Sequence, residues 1–161
     1  MRIGVVSDTH NNLRSVRAIV EIFDRAEVER VVHTGDVTQA KVLDAFAPMR
    51  APLVGVWGNN DLERPTLEAA AARHAMHMVD GTLHLEWHAR RIVVTHDPRD
   101  LAPHLEHGPA LALHGHTHLH RHERANGTLI FNPGECAGML PGHNRVGIVD
   151  LETLHCTLEH F

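Results

Sequence analysis

RIGVVSDTHNNLRSVRAIVEIFDRA, residues 2–26, carries the reading on which the fold turns. Its first part, residues 2–7, is a short apolar run closed by polar turn formers, the mark of a buried strand. Asp8 and His10 fall just past that strand's end. From Asn12 to about Ala26 the apolar positions Leu13, Val16, Ile19, Val20 and Phe23 recur at helical spacing, with Asn12 suited to be the N-cap. The same unit then repeats. Residues 29–33, ERVVH, give a second strand that runs into Thr34-Gly35-Asp36 and a helix from about 39 to 46, and residues 52–57 give a third strand that ends at Gly58-Asn59-Asn60-Asp61.

Alternating strands and helices imply a largely parallel sheet, and ligands of such sheets collect outside the carboxyl ends of the strands. A site is therefore located before any family is considered. Beyond the third strand, the alanine-rich stretch 66–73 reads as a helix, and 82–87 with 91–95 as a hairpin pair or neighbouring strands, the second ending at His96-Asp97. A helix near 101–107 leads to a short strand over 110–113, which runs into His114-Gly115-His116-Thr117-His118. Strand-like runs at 128–131, 145–151 and 153–158, joined by Gly, Pro and Asn turns, suggest an antiparallel finish.

At 161 residues the chain has the size of one domain, expected to span 1–161, and its 43% hydrophobic and 22% charged content is that of an ordinary globular protein. No apolar run reaches the roughly 20 residues of a membrane span, and residues 1–12 have neither a basic head nor a small-residue cleavage site. A cytoplasmic protein without membrane partners is expected, with Cys136 and Cys156 as reduced thiols. The net charge of −5 provides no basic stripe for phosphate backbones, so stable nucleic-acid binding is disfavoured, while a small anionic substrate held through metal is compatible with it.

Histidine is abundant, at 17 residues, which weakens any single histidine motif. Random placement alone would give on the order of two His-x-His pairs, against four between His114 and His122. Asp8 and Asp36 taken singly read best as turn residues or caps and Asn59 beside Gly58 as part of a tight turn, while His96 has a core histidine as the alternative to the ligand its strand-end place favours. Together with His10, His116 and His118, however, they form a seven-member set of oxygen and imidazole donors gathered at strand ends. Such a set without thiolate suits hydrolytic metal sites of Mn²⁺, Fe or Zn²⁺, and two cations about 3.5–4 Å apart clamp a phosphoryl group and activate water. His33 is expected to support Asp36 from behind, and His120 and His122 to be solvated.

The series Asp8-x-His10, Gly35-Asp36, Gly58-Asn59-x-Asp61, His96 and Gly115-His116-Thr117-His118 resembles the calcineurin-like metallophosphoesterase family, in its small bacterial and archaeal phosphodiesterase branch. The resemblance covers nearly the whole chain in order and spacing. It implies an α/β fold, a four-layer α/β/β/α sandwich of two facing mixed sheets flanked by helices. It also implies a phosphodiesterase or phosphatase in which a hydroxide bridging two metal ions attacks phosphorus. Asp8, His10 and His118 would hold one ion, Asn59, His96 and His116 the other, and Asp36 would bridge them, with Asp61 supporting this group without touching metal. Mn²⁺ is the ion the resemblance points to, although the donors would also accept Fe, Zn or Ni. A small phosphate ester, with a nucleotide among the options, would be the substrate, and homo-oligomers occur in the family.

Three positions depart from the family pattern. Asn60 stands where many members carry a histidine that protonates the leaving group, so a preference for good leaving groups is expected. Asp97 follows His96 where glycine is common, and Glu135 follows Asn132-Pro133-Gly134 where serine is frequent. Either carboxylate could reach the pocket, Asp97 as the missing acid or as an extra cation ligand, or else as an orienting neighbour. Two other classes of function compete: a catalytically silent scaffold of the same fold, as in the eukaryotic retromer subunit, and a metal-binding or storage protein using the histidine run. The intact ligand set speaks against the first, and the spread of ligands over five loops against the second.

Overall fold

The computed structural model describes residues 1–161. In chain order its first half runs β1 (Arg2–Val6), α1 (Leu13–Arg25), β2 (Arg30–His33), α2 (Ala40–Phe46), β3 (Leu53–Val56), α3 (Arg64–Arg73) and β4 (His77–Val79). The second half runs β5 (Leu83–Trp87), β6 (Arg90–Val94), a 3₁₀ turn (Pro98–Leu101), α4 (Ala102–Leu105), β7 (Leu111–Leu113), β8 (Arg121–Ala125), β9 (Thr128–Asn132), β10 (Arg145–Asp150) and β11 (His155–His160).

These strands form two mixed sheets. The first has the order β11-β10-β1-β2-β3-β4, with β1 to β4 mutually parallel and β10 and β11 antiparallel at one side. The second has the order β5-β6-β7-β9-β8, parallel across β6, β7 and β9 and antiparallel at both edges. Strand alternation sends Ile3, Val5 and Val32 into the space between the sheets, where they meet Ile92, Val94, Leu111, Leu113, Leu129 and Phe131. Val6 and Val31 point the other way, onto α1 to α3. A third, smaller cluster of Val93, Leu101, Ala112 and Ile130 lies under the 3₁₀ turn and α4. Three buried layers between four structural layers are the α/β/β/α sandwich that the sequence implied.

Helix α1 shows how local sequence sets these layers. Asn12 Oδ1 accepts the Ser15 N–H at 3.1 Å and starts the helix. Val16, Ile19, Ile22 and Phe23 then share its buried face, each contributing about 1.5–3 kcal/mol of transfer free energy. The helix that begins there carries the chain back to β2 in the parallel crossover.

Four details differ from the sequence reading. Strand β4 is an unforeseen three-residue edge, and β8, RHERA, is an edge strand with no apolar alternation to reveal it. The helix expected over 101–107 is a 3₁₀ turn followed by one α-turn. The strand expected at 153–158 forms at His155–His160.

Candidate metal centre

The carboxyl ends of β1, β2 and β3 in one sheet and of β6 and β7 in the other open toward the same rim, and each is followed by a polar loop. Backbone bonds lace these loops together across the sandwich. Asp8 N–H donates to Gly35 O at 3.1 Å, His10 N–H to Asp36 O at 2.9 Å, and Gly115 N–H to His96 O at 3.0 Å. His116 N–H donates to Asp8 Oδ2 at 3.1 Å, so the loop after β7 is fixed to the loop after β1. Gly58 and Gly115 permit this closeness, because a Cβ on Gly58 would overlap the Asp36 carboxylate and one on Gly115 would overlap Ser7 Oγ.

The seven expected side chains meet at this rim in two groups that share Asp36. In the first group, one donor atom each from Asp8, His10, Asp36 and His118 lies within 4.8 Å of the others. His10 Nε2 is 3.7 Å from Asp36 Oδ2 and 3.4 Å from His118 Nε2, which in turn is 3.5 Å from Asp8 Oδ1. In the second group, His96 Nε2 is 3.5 Å from Asp36 Oδ1 and 2.9 Å from Asn59 Oδ1. His116 Nδ1 is 2.9 Å from Asn59 Oδ1 and 3.3 Å from His96 Nε2. Asp36 thus turns one oxygen to each group.

Five of these residues share an unusual backbone conformation, which seven other non-glycine residues of the chain also adopt. Asp8, His10, Asp36, His116 and His118 all adopt positive φ, at 50°, 44°, 61°, 67° and 58°. Non-glycine residues in this region cost on the order of 1–3 kcal/mol each and gather at functional sites. Five of the seven residues carry that strain.

Burial adds an electrostatic demand. Asp8 is fully buried, and its Oδ1 has no hydrogen-bond partner, while its Oδ2 accepts from Ser7 Oγ and the His116 N–H. Burial pushes the Asp8 carboxyl above its ordinary range, against the lowering effect of Ser7 and His118. An unpartnered, buried carboxylate oxygen facing imidazole nitrogens is chemically suited to a divalent cation, which would satisfy it and reverse that upward shift. The residues of the first group therefore fit a divalent cation.

The supporting groups are specific. Asp61, 2% exposed, accepts from Asp36 N–H at 3.1 Å and Gly58 N–H at 2.7 Å through Oδ2, and from Thr38 N–H at 2.5 Å through Oδ1. Burial pushes the Asp61 carboxyl up, while these N–H donors act the other way. His96 Nδ1 donates to Thr34 O at 2.8 Å, which leaves Nε2 bare toward Asp36 and Asn59. His33, expected behind Asp36, instead accepts from Gly35 N–H through Nδ1 at 3.0 Å and lies 3.1 Å from Thr9 Oγ1 through Nε2, so it braces two loops. His120, expected to be solvated, is half-buried against Phe131 with Nδ1 on Asn132 O at 2.9 Å, whereas His122 is exposed.

Asp97 lies beside the second group, with Oδ2 3.8 Å from His116 Nε2. Arg99 clamps it through Nε at 2.9 Å and a terminal nitrogen at 2.5 Å, and holds its carboxyl down at about 2. So held, Asp97 is drawn toward its ionised form and faces His116 as a hydrogen-bond acceptor. Two contacts escaped the sequence reading. Asn60 donates to both Asp36 oxygens, from its backbone N–H at 2.8 Å and its side-chain amide at 2.7 Å. Glu135 sits behind His118, not in the pocket, and its only sequence signal was its place after Asn132-Pro133-Gly134.

The comparisons with known proteins show the family and the fold. The calcineurin-like phosphoesterase superfamily domain matches residues 1–154. Phosphodiesterase MJ0936 of Methanocaldococcus jannaschii is 33% identical over 156 residues, 94% of each chain. The solved structure of a novel archaeal phosphodiesterase superposes with TM-score 0.92 at 32% identity over all of both chains. The phosphoesterase Yfce of E. coli, 21% identical, shares the fold with TM-score 0.72 over 99% of this chain and 98% of its own.

Proposed function

The chain belongs to the calcineurin-like phosphoesterase superfamily, and from that premise we propose that it hydrolyses a phosphodiester at two divalent ions held by Asp8, His10, Asp36, Asn59, His96, His116 and His118. It is a hydrolase of phosphoric ester bonds, and the whole of 1–161 is read as one such domain. The observation that carries the site assignment is Asp36, whose oxygens are divided between two donor groups at 3.7 Å and 3.5 Å from His10 and His96. Five strained donors, the shared carboxylate of Asp36 among them, favour a catalytic site over a scaffold or a storage protein.

Bound there, divalent cations would neutralise charge on the phosphoryl oxygens and lower the pKa of water at the site. The protein's own contribution is orientation. Asp61 fixes the Asp36 backbone, Thr34 O fixes the His96 tautomer, and Asp97 is an acceptor within reach of His116 Nε2. Asn60 has no proton of useful acidity to give, so the leaving oxygen departs unaided from this position. Aryl and similarly activated diesters are the substrates suited to that arrangement.

A cavity of about 280 Å³ adjoins the second group, lined by Trp57, Asn59, His96, Asp97, Arg99 and His116. It suits one arm of the ester, a nucleoside among them. Mn²⁺ is the ion that we assign to the mixed carboxylate, amide and imidazole donors, with Fe, Zn and Ni as chemically admissible substitutes. Two unpaired cysteines are in keeping with the cytoplasm, and no helix is long and apolar enough to cross a membrane. The net charge of −5 leaves stable nucleic-acid binding unsupported, and a homo-oligomer is compatible with the exposed Leu62, Leu119, Met139 and Leu140.

The test is turnover of bis-p-nitrophenyl phosphate with Mn²⁺, after chelation, and in Asp36→Asn. Metal-dependent turnover that falls by about 10²–10⁴-fold in the variant, the effect of losing several kcal/mol of charge stabilisation, is expected. Turnover that survives both treatments would exclude the assignment.

A further inference from the structure

We propose that Glu135 is a positioning residue for the Asp8, His10, Asp36 and His118 ion site, holding the His118 ring so that Nε2 faces Asp8, and itself held by the backbone of Leu140. This inference rests on the phosphoesterase reading, which assigns His118 to that site. Glu135 is fully buried, yet each of its oxygens has one well-formed partner. Oε2 meets His118 Nδ1 at 3.0 Å, and Oε1 accepts the Leu140 N–H at 2.7 Å.

A carboxylate only accepts hydrogen bonds, so the proton of this contact belongs to His118 Nδ1. With Nδ1 committed, Nε2 presents a lone pair toward Asp8 Oδ1 at 3.5 Å, and that oxygen also has no donor. A buried carboxylate oxygen and a half-buried ring nitrogen face each other, each an acceptor, an arrangement that a cation resolves. The carboxylate behind the ring fixes its orientation, and loss of such a partner typically costs 10–100-fold in metal affinity. Leu140 completes the arrangement from the far side. Its loop is tied down by Asn12 Nδ2 donating to Ala137 O at 3.0 Å and by Gly138 N–H donating to Asn144 Oδ1 at 2.9 Å. The segment 137–144 is thereby part of what shapes the first ion site.

Glu135→Gln is the informative variant. Its amide keeps the shape but supplies only one acceptor oxygen, so either His118 Nδ1–H or Leu140 N–H must face an NH₂ group. Zn²⁺ titration against a competing chelator should show two ions bound by wild type. In Glu135→Gln one of the two should weaken by about 10–100-fold while the other is unchanged, with the melting profile of the metal-free variant reporting its fold. Equal weakening of both ions, or two ions bound at wild-type affinity, would overturn the role of Glu135 and leave the phosphoesterase reading intact. A wild type that takes up no zinc would overturn both. Should the variant not fold, long-range ¹H–¹⁵N correlation on zinc-loaded wild type decides: a protonated Nδ1 and zinc-shifted Nε2 on His118 are expected, and coordination through Nδ1 would overturn the proposal.

Discussion

Asp61 Oδ2 accepts the backbone N–H of Asp36 at 3.1 Å, so a carboxylate from the loop after β3 sets the position of the residue that stands between the two donor groups. The same carboxylate also accepts from Gly58 and Thr38. Asp61→Asn turns an NH₂ group toward one of these N–H donors and releases one loop. We expect a folded protein whose turnover falls by about 10–100-fold, as when a partner behind a ligand is lost. Wild-type kcat and metal affinity in this variant would refute the positioning role.

Asp8 yields a prediction of opposite sign for stability and activity. Burial raises its carboxyl in the folded, metal-free protein above the ordinary 3.8, so the folded state holds the proton more tightly than the unfolded chain. That costs stability at neutral pH, and the cost shrinks as pH falls through the raised value and is gone below the ordinary 3.8. Asp8→Asn should therefore melt at a higher temperature than wild type in chelator at pH 7, helped by the tolerance of Asn for φ of 50°. Saturating Mn²⁺ should reverse the order, and turnover should be lost. Lower stability of the variant in chelator would contradict this account.

The place of Asn60 predicts selectivity. General-acid assistance is worth about 10²–10⁴-fold, and Asn60, bonded to Asp36 through both its amide groups, cannot give it. kcat/KM should fall steeply from p-nitrophenyl to alkyl diesters. Comparable rates across such a series would mean that another group protonates the leaving oxygen.

His33 ties stability to pH. Burial pushes it down to about 3 in the folded chain, while the unfolded chain takes up a proton below about 6.5. The folded protein, binding fewer protons in this window, keeps the full contribution above about pH 6.5 and loses it as pH falls toward 3, by up to about 1.4 kcal/mol per pH unit. Urea midpoints of metal-free protein between pH 7 and 5 should fall less steeply in His33→Asn than in wild type. An unchanged slope would show that His33 is not held neutral.

Much of this arrangement is legible in the sequence because apolar periodicity and strand-end chemistry coincide. The run 2–7 announces β1, the spacing from Leu13 to Phe23 announces α1, and polar residues follow β1, β2, β6 and β7 directly and β3 after Trp57-Gly58. The seven donors could be chosen because residue types distant in the chain share a position relative to strands. What escaped has no periodic signal. β8 is a polar edge strand, β4 is three residues long, and the contact of Glu135 with His118 spans a loop whose path no local pattern determines. The choice among the roles open to Asp97 was not legible for a further reason: its ionisation depends on Arg99, two residues on, whose guanidinium folds back onto it.

The most direct measurement is anomalous diffraction from crystals soaked in Mn²⁺, recorded on both sides of the manganese edge. Two peaks about 3.5–4 Å apart are expected, one among Asp8, His10 and His118, the other among Asn59, His96 and His116, with an Asp36 oxygen reaching each. A single peak remote from Asp36, or none at that rim in protein that turns over substrate, would contradict the account.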